Sequence, residues 1–227
     1  NDNTTGVVTV NSTTITGNNA DIVKLYTANA TGTVTGLGNN EAITVSNTIT
    51  ATEANVIDAL TGGVVTASIS SNDIDNLATL TGTGNAYTIN VTDSTVSASN
   101  LNALNAKTSG NINVTATSFT GSATDLIATY AAKNNGITGL GSENLTVSGK
   151  ASVAQINSLG LATNGVIAAT VNEGDMATLK TLSESGNALN VTITDTTVAA
   201  TDLTTLSSGS TGVIDVDSTT LTGTNSE

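Results

Sequence analysis

Residues 86–110 read AYTINVTDSTVSASNLNALNAKTSG, and residues 188–212 read ALNVTITDTTVAATDLTTLSSGSTG. The first copy opens with Tyr87, Ile89 and Val91 alternating with Thr88, Asn90 and Thr92, and Val191 and Ile193 repeat the pattern in the second. A period of two puts the apolar set on one face of a strand and the polar set on the other. A Thr/Asp/Ser turn follows, then leucines three apart, the spacing of a helix face, and finally Gly. The unit is a strand, a turn and a short helix.

Outward from this stretch the unit recurs in looser form. Coils begin at Val7, Ala42, Val64, Ala86, Asn111, Asn144, Val166, Ala188 and Val213, and most run about 22 to 25 residues. In the first coil VVTV leads into a turn with Ile15 and then a DIVKLY helix. Gly63, Asp93 and Ile112 are repeated 102 residues on as Gly165, Asp195 and Ile214. The loop Thr35-Gly36-Leu37-Gly38 returns 103 residues later at Thr138. Four coils therefore form a super-repeat of roughly a hundred residues. The expected organisation of residues 1–227 is one solenoid, with super-repeats at 7–110 and 111–212 and a partial coil at 213–227.

Helix signals sit where the coil requires them. Apolar residues recur at helical spacing in Val56, Ile57 and Leu60, in Ile74, Leu77 and Leu80, and in Met176, Leu179 and Leu182. Thr50-Ala51-Thr52-Glu53 reads as a capping box, and Ser70, Ser71, Ser99 and Thr201 are candidate N-caps. Gly62, Gly82, Gly110, Gly160 and Gly186 are candidate left-handed C-caps. Helices of two or three turns do not persist alone in water, so they must pack on the strands. Strand, helix and strand in register predict parallel pairing by right-handed crossover. The fold class expected is an α/β repeat: a right-handed solenoid with one parallel β-sheet, leucine-rich-repeat-like in layout.

Composition narrows the chemistry. Aromatics are only 2% of the chain against 37% hydrophobic residues, which suits thin layers of Val, Ile, Leu and Ala. Eighteen acidic residues against five lysines give a formal charge of −13, and the lysines are scattered singly. No basic patch exists to neutralise phosphates, so nucleic acid is not an expected partner. The absence of Cys and His removes disulfides, thiolate metal sites, thiol nucleophiles and the commonest general base. No apolar run of about 18 residues occurs, so membrane insertion is not expected. The first five residues show no basic n-region and no apolar h-region of a signal peptide.

The polar strand face is the surface left to recognise anything. Its outward positions are Thr9, Thr44, Thr66, Thr88, Asn90, Asn113, Thr146, Thr170, Asn190 and Thr192. Thr and Asn stabilise stacked strands without any ligand, and the same array could order water as ice-binding solenoids do. Acidic residues form a second candidate set. Asp215 and Asp217 share one strand face, Asp93 and Asp195 occupy strand–turn corners, and Glu41, Glu143 and Glu184 sit in Gly/Asn-rich loops. Hard oxygen ligands of this kind suit Ca²⁺, the one cofactor these residues suggest. Solvated acids and helix caps are the simpler account of them. Pairs such as Asp73/Asp75 and Glu173/Asp175 lie at helix starts, where the dipole favours negative charge.

Two segments, LTGGVVTASISSNDIDNLATLTGTGNAYTINVTD at 60–93 and ITDTTVAATDLTTL at 193–206, resemble tandem repeats of very large exported bacterial proteins. The resemblance is to surface and adhesin-like proteins of marine cyanobacteria and proteobacteria, and covers nearly the whole chain. It implies an extracellular or cell-surface structural protein of surface-layer, filament or adhesin type, often Ca²⁺-dependent. The strand edge expected at Val213 to Val216 suggests, as partners, further repeats of the chain or identical chains end to end. The chain departs from calcium-binding toxin-type repeats in lacking their Gly/Asp nonapeptide. The expected function is a structural spacer without catalysis. The alternative is a binding module for ice or polysaccharide on the Thr/Asn face.

Overall fold

The computed structural model describes residues 5–183 and 185–224. In chain order the elements begin β1 (Val8–Thr9), β2 (Thr14–Gly17), α1 (Asn19–Ala30), β3 (Val34–Thr35), β4 (Ala42–Val45) and α2 (Ala51–Asp58). There follow β5 (Val65–Ser68), α3 (Ile74–Leu77), β6 (Ala86–Val91), β7 (Thr95–Ser97), α4 (Ala98–Asn105) and β8 (Ile112–Val114). Next come β9 (Ser118–Gly121), α5 (Ala123–Ala131), β10 (Ile137–Thr138), β11 (Asn144–Ala151), α6 (Val153–Gly160) and β12 (Ile167–Val171). The chain continues through α7 (Met176–Leu179), β13 (Ala188–Ile193), β14 (Thr197–Ala199), α8 (Ala200–Gly209), β15 (Ile214–Val216) and β16 (Thr220–Thr222). The fold is α/β, with parallel sheets in a repeat-like layout.

The expected single sheet is replaced by two sheets of six strands, ordered β10-β8-β6-β5-β4-β2 and β15-β13-β12-β11-β9-β7. Two further pairs, β1-β3 and β14-β16, are also parallel. The cause lies in the segments read as turns. Thr14–Gly17, which carries Ile15, and Thr95–Ser97 are themselves strands. In the fourth coil β6 joins the first sheet while β7 joins the second. One coil thus feeds two sheets. The chain divides into two compact units, Asn1–Asp93 with Ala103–Thr115 and Asn134–Thr138, and Ser94–Asn102 with Ala116–Lys133 and Gly139–Glu227.

Each six-stranded sheet buries one face. Tyr87, Ile89 and Val91 of β6 are at most 1% exposed, as their alternation requires. Leu189, Val191 and Ile193 of β13 are at most 2% exposed. The helices add Ile74, Leu77, Leu101, Leu126, Ile156 and Leu179 to the core. Val56 is exposed instead, because Ala51, Ala54 and Ile57 form the inward stripe of α2.

Helix starts follow local chemistry. The Thr50–Glu53 capping box is formed, with the Thr50 N–H donating to Glu53 at 2.8 Å and the Glu53 N–H to the Thr50 hydroxyl at 3.2 Å. Ser152 and Gln155 build a second box on α6. Such caps contribute about 1 kcal/mol. Ser70 and Ser71 do not cap α3, since Asp73 accepts the N–H groups of Asp75 and Asn76 first. Ser99 and Thr201 lie inside α4 and α8 rather than before them. Of the five glycines expected as left-handed caps only Gly186 has positive φ, at 82°. Helices end on right-handed residues such as Ala59, Ala78 and Leu161, so the left-handed step is not needed there.

Candidate functional site

The outward strand positions do not form one continuous row. In the first unit Thr44 lies between Thr16 and Thr66, but the next neighbour of Thr66 is Ala86. Thr88 pairs with Ser68 in a separate row. Asn90, Asn113 and Thr138 make a third, linked by an Asn113–Asn90 amide bond of 3.3 Å and a 3.4 Å bond from the Thr138 hydroxyl to Asn113. In the second unit Thr146 is flanked by Thr120 and Ala168, and Thr170 by Lys150 and Asn190. Thr192 faces Asp215, while Thr9 pairs with Thr35 in the short sheet. Of the ten positions expected on this face, Asn113 is half-buried and the other nine are exposed.

The stagger has a physical origin. Neighbouring strands start at different points along the pleat, so residues counted from the start of each coil drift between rows. Coil numbering hid this register. The face therefore presents short polar rows bounded by Ala86, Ala168 and Ala188.

The acidic candidates divide by what they bond. The Asp93 carboxylate accepts the Ile74 N–H at 2.9 Å, and Asp195 accepts the Met176 N–H at 2.5 Å. Each carboxylate thus serves the start of a helix one coil back, the first turns of α3 and α7. Glu173 does the same for α6 through the Val153 N–H at 3.0 Å. Asp215 and Asp217 are exposed on and just beyond β15. Glu184 lies outside the described residues. Among the described residues no group of three or more acidic side chains converges.

Glu41 and Glu143 are not loop ligands open to solvent but buried carboxylates, 5% and 1% exposed. Tyr26 of α1 donates to Glu41 at 2.9 Å, and Tyr130 of α5 donates to Glu143 at 2.6 Å. Backbone N–H groups complete each cradle: Gly38 for Glu41, and Gly141 at 2.8 Å with Ser142 at 3.2 Å for Glu143. Burial pushes the Glu41 carboxyl up, but the N–H groups of Glu41, Gly38 and Asn40 and the Tyr26 hydroxyl outweigh it and hold it below the usual range. The Tyr26 phenol is pushed up to about 12 by burial and then by its bond to Glu41. Gly36, with φ of 93°, turns the loop where a Cβ would meet the Val10 carbonyl oxygen at 2.1 Å. Recurrence of Tyr upstream of Thr-Gly-Leu-Gly and Glu downstream was the available signal for this cradle.

Other polar side chains substitute for missing ladder groups. Asn85, 2% exposed, accepts the Val65 N–H at 2.8 Å, and Asn187 accepts that of Ile167 at 2.8 Å. The Thr108 hydroxyl accepts the N–H groups of Tyr87 at 2.8 Å and Gly110 at 2.9 Å, and Ser210 repeats the arrangement at Leu189 and Gly212.

Among the described residues no helix is long and apolar enough to cross a membrane. No protein-family model matches the chain, and no curated protein or solved structure matches it. The class the structure defines is an α/β protein of parallel sheets built from recurring strand and helix segments.

Proposed function

We propose that this chain is a structural repeat segment of a large secreted or cell-surface protein, serving as spacer, filament or adhesin stalk without catalysis. In this reading the coils wind as a right-handed solenoid, leucine-rich-repeat-like in layout, and the partners are further repeats of the same kind. One observation carries it: the buried and corner polar side chains bond from coil to coil. Asn85 reaches Val65, Asp93 reaches Ile74, and Thr108 reaches Tyr87, each about one coil away. Side chains used in this way hold neighbouring coils together. Stability then accumulates from nearest-neighbour interfaces, as suits a protein that works by length. The test is a series of proteins with one, two and four copies of residues 7–212. Solution scattering should give a maximum dimension that grows by a constant increment per copy. A dimension rising only as the cube root of mass would overturn the reading.

The linked row of Asn90, Asn113 and Thr138 favours a second, narrower reading, a binding face for ice or polysaccharide. Thermal hysteresis or retention on immobilised glycans, lost on Asn113→Ala, would support it. Absence of both would remove it.

A further inference from the structure

Among the differences between the two super-repeats, several fall around one place. In the first, the Lys107 amine donates to the carbonyl oxygens of Ala78, at 3.0 Å, and Leu80. These carbonyls end the turn of α3, where unsatisfied C=O groups favour a cation. One super-repeat later, 102 positions on, Gly209 stands for Lys107, Leu189 for Tyr87 and Asp202 for Asn100. The Lys107 ammonium and the ring are gone, and an ion pair has arrived, since Lys180 stands for Ala78 and its amine meets the Asp202 carboxylate.

A cavity of about 310 Å³ lies at this place. Leu179, Leu182, Leu189 and Leu206 give it an apolar wall, and Lys180, Asp202 and Gly209 also line it. Lys180 turns its own amine to Asp202 at 2.8 Å. The carbonyl oxygens of Lys180 and Leu182 correspond to those that Lys107 satisfies, and among the described residues no side chain donates to them. A Cβ placed on Gly209 meets nothing within 4 Å, so the path taken by the lysine stem is open.

We propose that this cavity binds a small primary amine on an apolar body, an alkylammonium or arylalkylammonium. Its ammonium occupies the position of the Lys107 amine, against the carbonyl oxygens of Lys180 and Leu182, with the Asp202 carboxylate shared between it and the Lys180 amine. Its apolar body packs on the four leucines. The first copy supplies the template, since its own side chains show which chemistry these carbonyls accept. Apolar cavities take up ligands of matching shape, and this volume is at the lower end for small-molecule sites, enough for one ring or a short chain.

The experiment titrates the whole chain with 2-phenylethylamine and n-butylamine, with 2-phenylethanol as the neutral control, followed by calorimetry and leucine methyl NMR. The expected result is saturable amine binding that shifts Leu179, Leu182 and Leu206 but not Leu77, Leu80 and Leu104. The alcohol should bind at least tenfold more weakly. Gly209→Lys should weaken amine binding at least tenfold while keeping or raising the melting temperature. Gly209→Met, which fills the same space without charge, should weaken it similarly and serves if the lysine variant does not fold. No saturation, equal affinity for the alcohol, or undiminished binding in the filled variants would overturn the proposal.

Discussion

The Tyr130 hydroxyl donates a 2.6 Å hydrogen bond to the carboxylate of Glu143, which is 1% exposed. Tyr26 and Glu41 stand in the same relation at 2.9 Å. Each pair ties a helix to the loop that precedes a long-sheet strand. Tyr130→Phe leaves the carboxylate buried with one donor fewer, at a cost of about 1–3 kcal/mol. Urea unfolding of this variant should show a lower midpoint with an unchanged slope. Glu143→Gln, which turns an amide N–H toward backbone donors, should cost at least as much.

Acid should loosen the Glu41 cradle. The folded-state carboxyl is held below its ordinary value of 4.5, so the unfolded chain takes up the proton first. The stabilisation is present above the ordinary value and is lost as pH falls through the folded one. Urea midpoints measured from pH 6 down to pH 3 should decline, and Glu41→Gln should flatten that decline.

Alkali acts through the tyrosines. Tyr26 is pushed to about 12, and burial raises Tyr87 and Tyr130 further, with the charge of Asp58 adding to Tyr87 and the Glu143 bond to Tyr130. The unfolded chain loses these protons near pH 10 while the folded chain keeps them, so stability falls as pH rises above 10. Tyrosinate absorbance at 295 nm should therefore stay absent through pH 10.5 and then appear together with the loss of circular dichroism. Gradual titration of one tyrosine in the folded protein would contradict this.

Asp93 offers a clean separation of cap from metal ligand. Its carboxylate already accepts the Ile74 N–H at 2.9 Å. Asp93→Ala should destabilise the chain by about 1 kcal/mol in calcium-free buffer. A melting temperature of the unaltered chain that rises with added Ca²⁺, with the rise abolished in Asp93→Ala, would instead make Asp93 a ligand.

Backbone crowding gives a fifth handle. A Cβ on Gly110 would lie 2.1 Å from the Tyr87 carbonyl oxygen, whereas one on Gly209 meets nothing within 4 Å. Gly110→Ala should lower the thermal midpoint by several degrees, and Gly209→Ala should leave it unchanged or raise it.

Much of this was legible in sequence. The alternation around Ile89 and Val91 announced the buried strand face, and Thr50-x-x-Glu53 announced a helix start, because both signals are local. The strand at Thr95–Ser97 was hidden because its only buried apolar residue is Val96, too short a run to show a period. Asp93 was found at its corner, but its partner is 19 residues back and is visible only in register. Glu41 and Glu143 looked like surface acids because hydropathy cannot register a carboxylate sheltered by a phenol. The open place beside Gly209 is invisible in either copy alone, because it is defined by the Lys107 stem that the other copy carries.

Between Val91 and Asn144 the backbone passes from one six-stranded sheet to the other five times, through β6, β7, β8, β9, β10 and β11. Neither unit can therefore be excised as a contiguous fragment. A cut at the sequence repeat boundary after Gly110 removes β8 and β10 from one unit while leaving β7 of the other attached. Gene duplication copies contiguous DNA, so what recurs at 102 residues is not a separable building block but a lacing pattern. Any lengthening of this protein must add a whole stitch.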